Sequence, residues 1–161
     1  MVLNSDGASK GTPGPAGGGA ILRDWRGGFK QALTANFGIC TAYKAELMAV
    51  SLGLDMARSL GVRKLEIQMD NKACIQILNN KEYQGGECYH IINHCRALLE
   101  ADVWEVRLIH CYREGNKVAD KLANIGVTQL DNLLFHVNPP SEIIPLLRED
   151  IVGVTTPRLV N

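Results

Sequence analysis

With 161 residues, 46% hydrophobic and 21% charged, the chain has the size and composition of one globular domain with a continuous core. No apolar run approaches the roughly 18 residues of a membrane helix, and Met1 to Asp6 lacks the basic and apolar segments of a signal peptide. The expectation is an intracellular protein, of nucleus or cytoplasm, with no membrane partner; zero formal net charge, 17 basic against 17 acidic residues, argues by itself against a nucleic-acid partner.

Because the first strand starts almost at Met1, the chain reads as an excised domain of a larger polypeptide, and it is expected to be monomeric. Five cysteines, an odd number with no C-x-x-C pair, suit free thiols in a reducing compartment. His90, His94 and Cys95 have helical spacing but no second ligand cluster, so polar residues on a helix face are favoured over a zinc site.

Val2 to Asp6 is predicted as a strand ended by Asp6-Gly7. Gly11 to Gly17 is too rich in turn formers for a regular element. Gly18 to Arg23 forms a second strand, and Asp24 to Gly28 turns it into a third, Phe29 to Phe37. The glycines bordering the second strand suggest close backbone packing or an approaching ligand.

Tyr43 to Leu60 is the clearest helix: Tyr43, Leu47, Val50, Leu54 and Ala57 share one face, and Gly61 ends it. Val62 to Met69 follows as a strand, and Asp70-Asn71 could cap a helix from Lys72 to Leu78. Asn79 to Gly86 is polar loop, Glu87 to Glu100 helix, Val103 to His110 strand, and Lys117 to about Val127 helix. The tail from Gln129 contains Pro139-Pro140, one short helix from Ser141 to Asp150, and ten loose final residues. Three hairpin-linked strands followed by alternating helices and strands indicate a mixed sheet with helices on its faces.

Four acids sit where that architecture can gather them. Each has an ordinary alternative: Asp6 an Asp-Gly turn, Asp70 a helix N-cap, Asp120 a dipole-favoured first-turn acid. Glu46 is harder to dismiss, because Ala49, Val50 and Gly53 put it at the edge of the core-facing side of its helix, where an unpaired charge is costly. If the strands carrying Asp6 and Asp70 are parallel neighbours, both acids stand at one carboxyl edge, the usual α/β ligand site. Crowded carboxylates raise one another's pKa unless hard cations neutralise them, Mg²⁺ first and Mn²⁺ next. Setting the four acids aside leaves 13 against 17 basic residues, a mildly basic remainder. Two ions roughly 4 Å apart support in-line attack on a phosphodiester.

Asn4-Ser5-Asp6-Gly7-Ala8-Ser9-Lys10-Gly11, Gly14-Pro15, Ala45-Glu46-Leu47, Met69-Asp70-Asn71 and Asn116-Lys117-Val118-Ala119-Asp120, in that order, resemble type 1 ribonuclease H. With Leu22-Arg23-Asp24, His110 to Asn116 and Phe135-His136, the resemblance is to the ribonuclease H-like domains of plant non-LTR retroelement reverse transcriptases and their host-encoded relatives. It implies an α/β, ribonuclease H-like fold with a five-stranded mixed sheet, order 3-2-1-4-5, and helices on both faces. A catalytic domain over 1–128 and a docked extension over 129–161 go with it. The implied activity is endonucleolytic hydrolysis of the RNA strand of an RNA–DNA hybrid by two Mg²⁺ ions, replaceable by Mn²⁺.

By the same resemblance Asp6, Glu46, Asp70 and Asp120 hold metal, and His110 is the family's mobile histidine, with a plain strand-end residue as the alternative. Gly7, Ser9, Lys10, Gly11, Thr12, Thr41, Asn71, Arg113 and Asn116 are implied at the nucleic-acid interface, with Arg113 and Asn116 orienting the loop and Asp120, or Arg113 meeting phosphate. The Gly11 to Gly14 segment would lie along the RNA strand, where 2′-hydroxyls mark RNA; its residue order is not that of a P-loop. Thr12, Ala42-Tyr43 and Asn71 depart from the residues of bacterial relatives, and Asn79 to His90 carries only Lys81 in place of a basic handle. Weak hybrid affinity or dependence on a larger parent is therefore expected. The competing readings are a silent hybrid-binding domain, another metal nuclease on a similar fold, and a protein-interaction domain in which the acids only cap and turn.

Overall fold

Residue alternation in the central strands sorts two cores onto opposite faces of one sheet. The computed structural model describes residues 1–80, 82 and 85–153, so Lys81 and the final residues from 154, part of the tail expected to be loose, lie outside the described residues. In β2 (Gly14–Arg23), Ala20 and Leu22 enter one core with Leu3 of β1 (Val2–Ser9) and Leu33 of β3 (Phe29–Cys40). Between them Ile21 points the other way, joining Ala32, Val118, Leu122 and Ile143.

The first core is covered by α1 (Ala42–Ser59), α2 (Lys72–Asn79) and α3 (Tyr89–Leu99), with β4 (Lys64–Met69) beneath. The second is covered by α4 (Lys117–Thr128) and by α5 (Ile144–Gly153) with the 3-10 turn Ser141–Ile143 before it. Helices therefore pack on both faces, as expected. Each fully buried Leu or Ile stabilises the fold by about 1.5–3 kcal/mol, so the two cores lock both helical layers to one sheet. None of the five cysteines forms a disulfide.

The sheet runs β5-β4-β1-β2-β3-β6, with β5 over Glu105–His110 and β6 over Leu133–His136. It has six strands where five were expected; the order of those five is unchanged, and β6 adds to the free edge of β3. Four residues of Leu-Leu-Phe-His are too short to show alternation, yet they pair with Ala32 to Ala35 and supply the hydrogen-bonding partners that β3 would otherwise lack. Gln129 extends this seam by donating to the Thr34 carbonyl at 3.0 Å. The extension from 129 thus starts as part of the sheet rather than as a helix alone.

Other boundaries moved for local reasons. Gly14 to Gly17 is strand, paired with β3 across a bulge, so turn-forming composition misled there. Tyr43 stands half-exposed at the rim of α1, whereas Ala45, Glu46, Ala49, Gly53 and Met56 join the buried set, because α1 is gripped along a wider face than a simple stripe. No helix among the described residues is long and apolar enough to cross a membrane.

Candidate metal centre

β1 runs parallel to β4, with Asn4 opposite Gln68; β4 runs parallel to β5, with Met69 opposite His110. Two residues beyond Asn4 stands Asp6, and two beyond Gln68 stands Asp70, so the register levels both acids at the carboxyl edge. Asp6 does not end β1: the strand continues to Ser9, with Asp6 opposite Gly19 of β2. The turn role considered for it is therefore not its setting. Nor is Asp70 a helix cap, since Asn71 takes that place, its Oδ1 accepting from the Cys74 amide at 3.1 Å.

Two close approaches bring the helices in. A Cβ on Gly7 would lie 2.3 Å from the Ala45 carbonyl carbon and from the Glu46 nitrogen, so the start of α1 rests on the β1 backbone beside Asp6. On the opposite face, a Cβ on Gly19 would lie 2.4 Å from the Leu122 Cβ, which seats α4 and brings Asp120 of its first turn to the same end. The glycine-rich second strand is close packing in this instance.

Ligand oxygens of Asp6, Glu46 and Asp70 all lie within 4.8 Å of one another, and theirs is the one such cluster of potential metal ligands among the described residues. The zinc alternative has no such geometry: His94 bonds Asp55 at 2.9 Å and Cys95 is buried in the first core. Asp6 is 5% and Glu46 6% exposed. Burial pushes both carboxyls well above the usual range; the charge of Asp70 pushes both higher, and that of Asp6 acts further on Glu46. Asp70 is raised chiefly by burial, against the pull of Arg113 and His110. Glu46 Oε2 is buried and has no hydrogen-bond partner. An orphaned buried oxygen amid acids that resist ionisation fits a hard divalent cation, whose charge would remove both penalties. Asp6, Glu46 and Asp70 would hold it, with Asp120 at the border.

The cluster opens into a cleft of about 1010 Å³ that is also lined by Asp120, His110 and Arg113. The His110 ring meets the Tyr112 ring edge-on, with centroids 5.3 Å apart. Of the residues expected at a nucleic-acid interface, Gly7, Ser9, Lys10, Asn71 and Arg113 line this cleft; Gly11, Thr12 and Thr41 are exposed outside its lining. Thr41 caps α1, its hydroxyl accepting from the Lys44 amide at 3.2 Å. Asn116 requires correction: at 1% exposure it cannot reach nucleic acid directly. Its side chain bonds Asn4 and the Ser5 carbonyl, and its own carbonyl accepts from the Asp120 amide at 3.0 Å, so it orients. Sequence reasoning missed Lys72 and Lys117, both in the cleft lining. Each directly follows a singled-out asparagine, a signal that could have found them.

A family model described as reverse transcriptase-like matches residues 4–126. The chain belongs to that family. As a ribonuclease H-like domain it is 37% identical, over its whole length, to an Arabidopsis thaliana protein that bears the name ribonuclease H by prediction. The chain spans 26% of that relative. Among solved structures it is similar to ribonuclease H1 of the halophilic archaeon Halobacterium salinarum, at 27% identity and TM-score 0.70, over 78% of this chain and 96% of that one. It is likewise similar to the N-terminal ribonuclease H domain of a Mycobacterium tuberculosis protein, at 27% identity and TM-score 0.71, over 78% and 91% of the two chains. A third structure, a ribonuclease H1 in complex with an RNA/DNA hybrid, shares the fold at 24% identity and TM-score 0.70, over 78% and 95%.

Proposed function

We propose that this domain is an endoribonuclease that hydrolyses the RNA strand of RNA–DNA hybrids at the Asp6–Glu46–Asp70 centre, with Asp120 as the fourth acid and two Mg²⁺ ions, replaceable by Mn²⁺. The observation that carries this reading is the convergence of three buried or half-buried carboxylates, one within β1, one just past the end of β4 and one on α1, within 4.8 Å, one oxygen of Glu46 lacking any partner. Held by Asp6, Glu46 and Asp70, divalent cations would supply activation of a water and charge neutralisation at the leaving oxygen of a phosphodiester.

The chain's own residues do the rest. Lys10, Lys72, Arg113 and Lys117 border the acidic floor of the cleft, where they hold backbone phosphates on either side of the scissile bond. His110, at the end of β5 and half-buried beside Tyr112, is placed to move a proton or help product leave. The hybrid bound by the third structure above, and the ribonuclease H names of the others, support this substrate class. Since the chain covers only part of the Arabidopsis relative, a larger polypeptide could supply further hybrid contacts.

The test is cleavage of an end-labelled hybrid with Mg²⁺ or Mn²⁺, beside matched RNA and DNA duplexes and an Asp70→Asn control. Hybrid-only cutting of the RNA strand, lost in the control, is expected. Binding without cutting in either metal would replace the enzyme with a silent hybrid-binding domain.

A further inference from the structure

Behind the carboxylates lies a chain of side-chain amides whose orientation is set from both ends by charge. Arg23, at the end of β2 and with only 11% of its side chain exposed, forms an ion pair with Asp150 of α5, Nη1 to Oδ2 at 2.7 Å. Its other nitrogen, Nη2, donates to Asn4 Oδ1 at 3.0 Å. That bond fixes the Asn4 amide so that its nitrogen faces inward, where Nδ2 donates to Gln68 Oε1 and to Asn116 Oδ1, both at 3.1 Å. With its oxygen thus engaged, Asn116 turns Nδ2 to the Ser5 carbonyl at 3.0 Å, one residue before Asp6. From the β4 side, Gln68 Nε2 donates to Glu66 at 3.0 Å, and Glu66 is itself paired with Arg107.

Inverting the Asn4 amide would set oxygen against the oxygens of Gln68 and Asn116 and turn its NH₂ toward the guanidinium. A buried network with donors facing donors loses more than the bonds themselves. The guanidinium of Arg23 therefore sets the polarity of the network, and Asp150 holds the guanidinium.

We infer that Arg23 and Asp150 are positioning residues for the acidic centre, so that α5 completes the site through the relay Asp150–Arg23–Asn4–Asn116. The function served rests on the nuclease reading, while the geometry of the relay does not. Asn4 and Gln68 precede Asp6 and Asp70 by two residues each, and Asn116 ties the β1 backbone to the helical turn that carries Asp120. The relay thus couples the relative placement of three acids to one ion pair whose carboxylate, Asp150, lies 30 positions beyond Asp120 in the chain. Arg23 and Asp150 line a second cavity of about 900 Å³ that adjoins the cleft through His110, Tyr112, Glu114 and Lys117. Arg23 is absent from the cleft lining and its guanidinium is taken up by Asp150 and Asn4, so it acts through the network.

Asp150→Asn and Arg23→Gln, each checked for retained fold by circular dichroism, test the relay in two ways. In the metal-free protein, side-chain amide protons of Asn4 and Asn116, followed by NMR, are expected to exchange at least about fivefold faster in both variants. In hybrid cleavage, kcat is expected to fall about tenfold with KM within about twofold, and Asp150→Glu should recover most of the loss. Should Arg23→Gln fail to fold, Asp150→Asn against Asp150→Glu decides alone. Unchanged amide exchange overturns the relay, as does a rise in KM at constant kcat. If the parent domain cuts no hybrid, the nuclease reading fails, and amide exchange still decides the relay.

Discussion

Gly7 lies against the backbone of Glu46 so closely that a Cβ on Gly7 would stand 2.3 Å from the Glu46 nitrogen. The contact is backbone to backbone, and no rotamer change can relieve it. Gly7→Ala must lift the start of α1 from β1, and with it the carboxylate that faces Asp6. Such overpacking costs about 1–3 kcal/mol. Denaturant melts are expected to show that loss, and isothermal titration should show Mg²⁺ affinity reduced about tenfold or more. A variant that melts and binds Mg²⁺ like the parent would mean that α1 need not rest on β1.

The acid cluster links stability to pH in a defined direction. Burial, aided by Asp70 and Asp120, raises the Asp6 carboxyl above its unfolded value. A group raised on folding contributes stability that is complete below the unfolded pKa and is lost as pH rises through the folded one. Without metal, Asp6→Asn is therefore expected to be more stable than the parent at pH 8, by about 1–2 kcal/mol, with the difference vanishing near pH 4. Mg²⁺ reverses the order at pH 8, because it stabilises the parent and the amide loses a ligand. Thermal melts of both proteins in EDTA and in Mg²⁺, across pH 4 to 8, check the sign.

How much of this was legible in the sequence follows from the range of each interaction. Strands and helices with long periodic patterns, such as α1, came through because their signal lies within one turn or one alternation. Asp6, Glu46, Asp70 and Asp120 could be gathered because parallel neighbouring strands end at one edge. β6 could not be read, since its reason for pairing is the free edge of β3, 98 to 104 residues earlier in the chain. The motif carries the orienting role of Asn116, whereas the burial that takes it off the substrate side is not legible, because its bonds to Asn4 and Ser5 cross 112 and 111 positions. Arg23 looked like a strand end for the same reason: Asp150 is 127 positions away.

The four acids should not be equal. Asp70 belongs to the cluster within 4.8 Å, while Asp120 is exposed and lies outside that set, its backbone carbonyl and carboxyl bonded by Asn124. Asp70→Asn is expected to lower kcat on the hybrid by about a thousandfold or more, and Asp120→Asn by about tenfold, roughly 1.4 kcal/mol. Side-by-side single-turnover assays at saturating Mg²⁺ measure the ratio. Equal losses would place Asp120 among the primary ligands.

Hybrid binding should depend on salt through few contacts. Lys10, Lys72, Arg113 and Lys117 are the lysines and arginines that line the cleft, and Lys10 already donates to Asn124. If each of the four meets a phosphate, the slope of log K against log salt is about −3 to −4. Lys72→Ala and Lys117→Ala are each expected to weaken binding without changing sequence preference and to reduce that slope by about one. Fluorescence anisotropy with a labelled hybrid in Ca²⁺, over a salt series, reads both quantities. A slope that stays put in either variant would remove that lysine from the interface.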